Sequence, residues 1–283
     1  MDPSGSANES LCGVYWNVER VACDRVDLFF VDVVAKYGFV LLQEKGVLDK
    51  HSGISRGHEV VCMEGDDVDR CPAVIVHRAL VPRIVGTRIW RRVVGVRLRT
   101  HNAADLILIS LHIPDTGKSA CAFDHAIREL DDTIVSLCSV GDRPWRLVVG
   151  GDFNAEISAD MATVGPCVSG PGDMTHALRE SALKAFAQKW NLGWPSTWAT
   201  TSGEHWTIHR KPTKRKSVLD YVWASNLLQV RTNIRYDLDF NADHRPMEIF
   251  VTEGAKGKTT NLKKPNSAHG GKIGSTTERG SSF

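Results

Sequence analysis

The stretch Leu147-Val148-Val149-Gly150-Gly151-Asp152-Phe153-Asn154-Ala155-Glu156 constrains this chain more than any other. Arg146 to Val149 has the apolar, β-branched pattern of a buried strand and runs into two glycines. A carboxylate and a carboxamide follow, two residues apart. On an extended backbone that spacing puts Asp152 and Asn154 on one side. Glycines permit a tight turn and leave room for a ligand above the strand end. A negative acceptor then stands beside an amide that both donates and accepts. Such a pair suits phosphoryl chemistry: the carboxylate handles a proton or a metal, and the amide aims a nucleophile or a phosphate oxygen. Gly, Asp and Asn also form ordinary turns, so the stretch needs support from elsewhere.

The pattern on either side predicts a mixed α/β chain. Strands are expected over Leu11–Val18, Phe39–Gln43, Asp105–Ile113, Val218–Ala224, Val230–Tyr236 and Met247–Val251. Alternating segments around Glu59–Met63, Ala73–His77, Thr87–Trp90 and Val93–Arg99 read as a run of antiparallel strands. Helices are expected over Asp24–Tyr37, closed by Gly38, and over Cys121–Cys138 and Thr175–Trp190. Residues 1–10 read as a disordered leader and 253–283 as a disordered basic tail, which leaves one domain over 11–252.

Charge enters here. The tail holds six Lys/Arg and two acids, so the rest of the chain carries −2 of the total +2. A mildly acidic body is compatible with a metal site made of carboxylates. The seven cysteines are odd in number and contain no C-x-x-C, which fits reduced thiols in an intracellular protein, nuclear or cytoplasmic. The polar first ten residues lack a signal peptide's pattern, and no apolar run is long enough to span a bilayer.

The placement of polar residues then becomes informative. Asn17, Glu44, His112, Asp152, Asn154, Asp220 and the pair Asp243-His244 each fall at or beside a predicted strand end. Turns alone would use Lys, Ser, Pro and Gly equally well. A set drawn from Asn, Glu, Asp and His has the composition of a hard-cation site with proton-transfer groups.

Trp16-Asn17-Val18, Leu42-Gln43-Glu44, Ser110-Leu111-His112-Ile113-Pro114, Gly151-Asp152-Phe153-Asn154, Leu219-Asp220-Tyr221 and Ala242-Asp243-His244-Arg245-Pro246 resemble, in order and spacing, the motifs of the endonuclease/exonuclease/phosphatase superfamily. The resemblance implies a four-layered α/β sandwich, two mixed sheets face to face with helices outside, like deoxyribonuclease I. It implies Mg²⁺, or Mn²⁺, held mainly by Glu44, with Asn17 nearby and Asp243 contributing. It implies that Asp152 activates or orients water and Asn154 positions it. His244, held by Asp220, would be a base or a phosphate contact. His112 stands where abasic-site and many retroelement endonucleases carry Tyr; deoxyribonuclease I has His. Ala242 stands where Ser is common, and Glu19 is a secondary metal candidate.

Two basic regions remain. Trp206 to Lys216 offers a ring with Arg210, Lys211, Lys214, Arg215 and Lys216, readable as a phosphate-tracking loop or as a solvated hairpin. Arg78, Arg83, Arg88, Arg91, Arg92, Arg97 and Arg99 read as the wet face of the middle strands. The expectation is a Mg²⁺-dependent phosphodiesterase nicking DNA, of the retroelement type, with a reverse transcriptase domain or protein as a possible partner. The alternatives are a phosphoinositide or sphingolipid enzyme of the same fold, and a nucleic-acid-binding relic without activity.

Overall fold

Inward and outward apolar residues alternate along the long strands, and that alternation sets two sheets face to face. The computed structural model describes residues 10–19, 25–46, 53–55, 57–64, 71–101, 103–160, 162–198, 205–210, 215–238 and 242–253. Most of the expected leader and tail, with Lys211 and Lys214, therefore lies outside the described residues. In chain order the strands begin with β1 (Ser10–Asn17), β2 (Phe39–Gln43), β3 (Gly53–Ser55), β4 (His58–Cys62) and β5 (Ala73–Val76). Next come β6 (Ile84–Ile89), β7 (Val93–Leu98), β8 (Asp105–His112), β9 (Trp145–Asp152) and β10 (Leu192–Gly193). Last are β11 (Ile208–Arg210), β12 (Arg215–Ser217), β13 (Asp220–Ser225), β14 (Leu228–Ile234) and β15 (Met247–Glu253). The helices are α1 (Val26–Asp32), α2 (Ala120–Cys138) and α3 (Met174–Lys189).

One sheet runs β14-β15-β1-β2-β5-β4-β3, the other β10-β13-β9-β8-β7-β6, and β11 with β12 forms a separate hairpin. Each large sheet holds one parallel pair, β1–β2 in the first and β8–β9 in the second. Between the sheets, Tyr15, Phe39, Leu41 and Val74 meet Val96, Leu108, Val148 and Val222. On the outer face of the first sheet, Trp16, Val40 and Leu42 pack on Phe29 and Phe30 of α1. On the outer face of the second, Ile109, Val149 and Trp223 pack on α2 through Leu130 and Ile134 and on α3 through Leu183 and Phe186. The result is the expected four-layered α/β sandwich. Each large apolar side chain so buried contributes about 1.5–3 kcal/mol.

Three expectations are corrected. The helix over 24–37 is shorter: α1 ends at Asp32 and a 3-10 turn, Val34–Lys36, follows. No side chain caps its start, and the β-branched Val31, Val33 and Val34 crowd the turn before them. The middle strands are not one antiparallel run. β4 and β5 belong to the first sheet and β6 and β7 to the second, with the crossing made through the 3-10 turn Val81–Arg83. Arg97 is not on a wet face. It is fully buried, donating to Asp105 Oδ2 at 3.0 Å and to the carbonyls of Leu137 (2.9 Å) and Arg143 (2.8 Å). It thereby satisfies carbonyls left open at the end of α2.

Gly150 and Gly151 lie inside β9 and make no turn. A Cβ on Gly150 would stand 2.8 Å from Leu41 Cδ1 and 3.1 Å from Tyr15 Cδ2. On Gly151 it would stand 2.8 Å from the Leu111 carbonyl oxygen. Gly150 lets the sheets close on each other beneath the strand ends, and Gly151 leaves room for Leu111 of its own sheet. Gly150→Ala should therefore cost about 1–3 kcal/mol through overpacking. Thermal melting checks this, and an unchanged midpoint would mean that the sheets separate freely at this point.

Candidate active site

Parallel strands share a direction, so the two parallel pairs end at the same edge of the sandwich. β1 ends at Asn17 and β2 at Gln43, which pair with each other, and Glu44 follows. β8 ends at His112 and β9 at Asp152, also paired. β13 starts there too, with Asp220 opposite Asp152. β15 runs antiparallel to β1 with Met247 opposite Tyr15, which brings Asp243 and His244 to that edge. Tyr15 faces the other sheet, so period two also turns Asn17 inward.

The inward side chains make one network. His244 Nδ1 lies 3.0 Å and 2.9 Å from the two carboxylate oxygens of Asp220. The Tyr15 hydroxyl donates to Asp220 Oδ1. Thr207 Oγ1 accepts the backbone N–H groups of Leu219 and Asp220, each at 3.1 Å. The Thr207 carbonyl accepts Arg245 N–H at 2.7 Å, and His209 N–H donates to the Asp243 carbonyl at 2.9 Å. The β11–β12 hairpin is thus a splint between the Asp220 and His244 segments. Asn17 Nδ2 donates to Asp152 Oδ2 at 3.2 Å, and Asp152 Oδ1 accepts Asn154 N–H at 3.0 Å.

Asn154 departs from the expectation of a shared extended side. The strand ends at Asp152, and Asn154 has φ +44°. Its Nδ2 donates to the Ile113 carbonyl at 2.8 Å. Arg179 of α3 holds this loop through the carbonyls of Pro114 (2.6 Å), Asn154 (3.0 Å) and Asp115 (2.9 Å). Of the four non-glycine residues with positive φ among those described, Glu19 (48°), Glu44 (51°) and Asn154 stand at this edge. Each such conformation costs about 1–2 kcal/mol, and glutamate has no side-chain device that favours it.

His112 sits between Glu44 and Arg92. Its Nε2 is 3.9 Å from Glu44 Oε1, and its Nδ1 is 3.4 Å from Arg92 Nη1. A guanidinium only donates, so Nδ1 accepts and the ring proton is on Nε2. The Glu19 carboxylate accepts a bond from the Asp243 backbone, though burial, the larger effect, raises its pKa. Burial and the charge of Asp220 push Asp152 up to about 7, against an ordinary 3.8. Burial alone would lower His244, but the charge and hydrogen bond of Asp220 raise it to about 10. Burial and Asp220 also keep the Tyr15 phenol protonated, hence a donor.

The geometry thus brings Asn17, Glu44, His112, Asp152, Asn154, Asp220, Asp243 and His244 to one edge. Among the described residues, Asp152, Asp220 and His244 offer ligand atoms within 4.8 Å of one another, close enough to share a cation. The basic hairpin differs from expectation. The Trp206 ring is buried, covered by Lys216 Nζ and the Arg245 guanidinium, each 5.2 Å from its centre. It packs the hairpin and is not an open stacking surface. The side chains of Arg210 and Arg215 lie outside the described residues. Sequence reasoning missed Tyr15, Thr207, Arg179 and the role of Arg92. Only Tyr15 carried a signal, its period-two spacing from Asn17.

No family model and no curated protein matches this sequence. Solved structures do. The endonuclease domain of TRAS1, a telomere-specific non-LTR retrotransposon, superposes with a TM-score of 0.58 at 17% identity, over 87% of this chain and 99% of that one. The AP endonuclease LMAP from Leishmania major gives 0.61 at 13%, over 90% of each chain. The Xenopus laevis APE2 catalytic domain gives 0.63 at 14%, over 86% of this chain and 92% of that one. At such identities the likeness is one of fold. The chain has the fold of the endonuclease/exonuclease/phosphatase superfamily.

Two outcomes follow. The raised His244 pKa contributes stability that is full below pH 6.5 and lost as pH rises through about 10. In Asp220→Asn the largest contribution that offsets burial is gone, so His244 should titrate well below its parent value of about 10. Histidine-selective NMR reads both, and an unmoved titration would remove Asp220 as the cause. Glu44→Gly should relieve backbone strain and keep or raise stability by up to about 1 kcal/mol, a melting shift of roughly 2–4 °C. A clear loss of stability would instead place the Glu44 side chain among the groups that hold the fold.

Proposed function

We propose that this protein is a Mg²⁺-dependent endonuclease that nicks DNA, of the type that retroelements encode. The observation that carries the reading is the buried Asp220–His244 pair beside Asp152, at the edge where both parallel pairs end. The likeness in fold to the endonuclease domain of TRAS1 supports the retroelement origin. A reverse transcriptase, as part of the same chain or as a separate protein, belongs to that reading.

The residues fit a hard divalent cation. The donors are carboxylate and amide oxygens, and the crowded charge that lifts Asp152 is of the kind a cation relieves. Glu44 would hold it, with Asn17 nearby and Asp243 contributing, and Mn²⁺ suits the same donors. Bound there, the cation would offset charge on a phosphate oxygen.

The chain's own groups divide the proton work. A carboxylate with a pKa of about 7 suits a base that takes a proton from water near neutral pH, and Asp152 is that group. Asn154 would position the water. His244, held cationic by Asp220, would donate to a phosphate oxygen and stabilise charge as the leaving oxygen departs. The Nε2–H of His112 would donate from the other side.

Supercoiled plasmid incubated with Mg²⁺ or with EDTA tests the reading. Nicking should need the metal and should fall steeply in Asp152→Asn and His244→Ala. Release of phosphate from inositol lipids without nicking would overturn it. With the cation bound and part of that crowding relieved, the rate should rise at a pH below 7 as Asp152 loses its proton, then fall at high pH as His244 loses its own. Both limbs belong to the coupled groups. Asp220→Asn should move the upper limb down by more than one pH unit, roughly tenfold in proton concentration. A profile with no rise anywhere on its acid side would remove Asp152 as the base.

A further inference from the structure

We infer that the tip of the β6–β7 hairpin, Ile89-Trp90-Arg91-Arg92, is a second contact for the nucleic-acid strand. In this contact Trp90 stacks on a base flanking the scissile phosphate and Arg91 meets a neighbouring phosphate. The inference rests on the nuclease reading and extends it to a surface that sequence reasoning assigned to solubility.

Position is the first argument. β7 begins opposite the end of β8, with Val93 paired to Leu111, so the hairpin turns at the active-site edge. Trp90 N–H donates to the Val93 carbonyl at 2.8 Å and closes a two-residue loop. The tip is then tied down by three bonds to two residues, His112 and Glu129. His112 N–H donates to the Arg92 carbonyl at 3.0 Å, Arg92 Nη1 reaches His112 Nδ1, and Arg92 N–H donates to Glu129 Oε2 of α2 at 2.9 Å. A catalytic imidazole and the hairpin tip therefore form one rigid piece. The indole is carried on the turn that adjoins the strand ending at His112.

Exposure is the second argument. Ile89 and Trp90 are each 42% exposed, whereas Trp206 is buried beneath cations. Both side chains keep part of their apolar surface in water at the active-site edge. Charge is the third. Arg91 is exposed and Arg92 half-buried beside the indole. Arg88 turns aside to Ser136 of α2. One aromatic face with adjacent guanidinium groups matches a base with its flanking phosphates, because every base offers a π-face and every linkage a charge. A membrane would ask for a wider apolar area or an amphipathic helix. The tip is a single narrow turn.

The test is binding in EDTA, where cleavage does not interfere, measured by anisotropy of a short fluorescein-labelled DNA duplex. Trp90→Ala should weaken binding roughly tenfold or more, and Trp90→Phe, which keeps a ring, should restore most of it. Arg91→Ala should flatten the slope of log affinity against log salt by about 0.7–0.9. Melting curves confirm that these surface variants fold. Affinity for Trp90→Ala within roughly twofold of the parent would overturn the inference and leave the nuclease reading standing if the parent still nicks plasmid. A parent that neither binds nor nicks DNA would overturn both. Weakened binding of Trp90→Ala to phosphatidylinositol bisphosphate vesicles, with DNA affinity unmoved, would reassign the tip to a lipid surface.

Discussion

The contact between Asp220 and His244 is the interaction on which the site depends. A carboxylate and an imidazolium buried together are costly unless they pair and are held by further hydrogen bonds, because desolvation penalises both charges. Here the holding groups come from far apart in the chain. Tyr15 donates to Asp220 from the facing sheet, and Thr207 accepts the amides that lead into it. The hairpin that carries Thr207 also fixes the backbone on either side of His244. None of these partners is exotic. What makes them a device is that three separate segments converge on one carboxylate, so its position is over-determined.

That convergence has a structural origin. Each sheet contains one parallel pair, and only a parallel pair delivers two strand ends to the same edge. The sheets face each other closely there because β9 carries glycine where a side chain would meet Leu41 and Tyr15. Close approach lets Asn17 of one sheet bond Asp152 of the other. The same closeness buries Asp152, and burial, with the charge of Asp220 on the next strand of its own sheet, lifts it to about 7.

The backbone strain belongs to the same account. Glu19, Glu44 and Asn154 adopt left-handed conformations just beyond strand ends. Each turns a polar side chain toward the edge where a regular strand would have carried it away. Strain of this kind persists only where surrounding bonds fix the geometry. The Arg179 anchor on the Asn154 loop and the Asn17 oxygen on Glu19 N–H are such bonds.

Much of this was legible in the residues. The period-two runs marked the core strands, and the polar residues gathered at their ends marked the site. Asp152, Asp220, His112 and His244 could be named on that ground. The local patterns could not say which sheet a strand joins. Thus β4–β5 and β6–β7 read alike but part company, since sheet membership follows from long-range packing that no short window contains. Arg97 and Trp206 looked like solvated residues and are buried, because what covers them, Asp105 and α2 in one case, Arg245 and Lys216 in the other, arrives from elsewhere. Glycine at 150 announced an unusual backbone need, and only the facing sheet decided that the need was proximity and not a turn. The sequence by itself determined which side chains carry charge and where strands end. The tertiary structure decided which charges share a low-dielectric space, and that alone sets their proton affinities, because electrostatic energy depends on separations and burial that a one-dimensional chain does not contain.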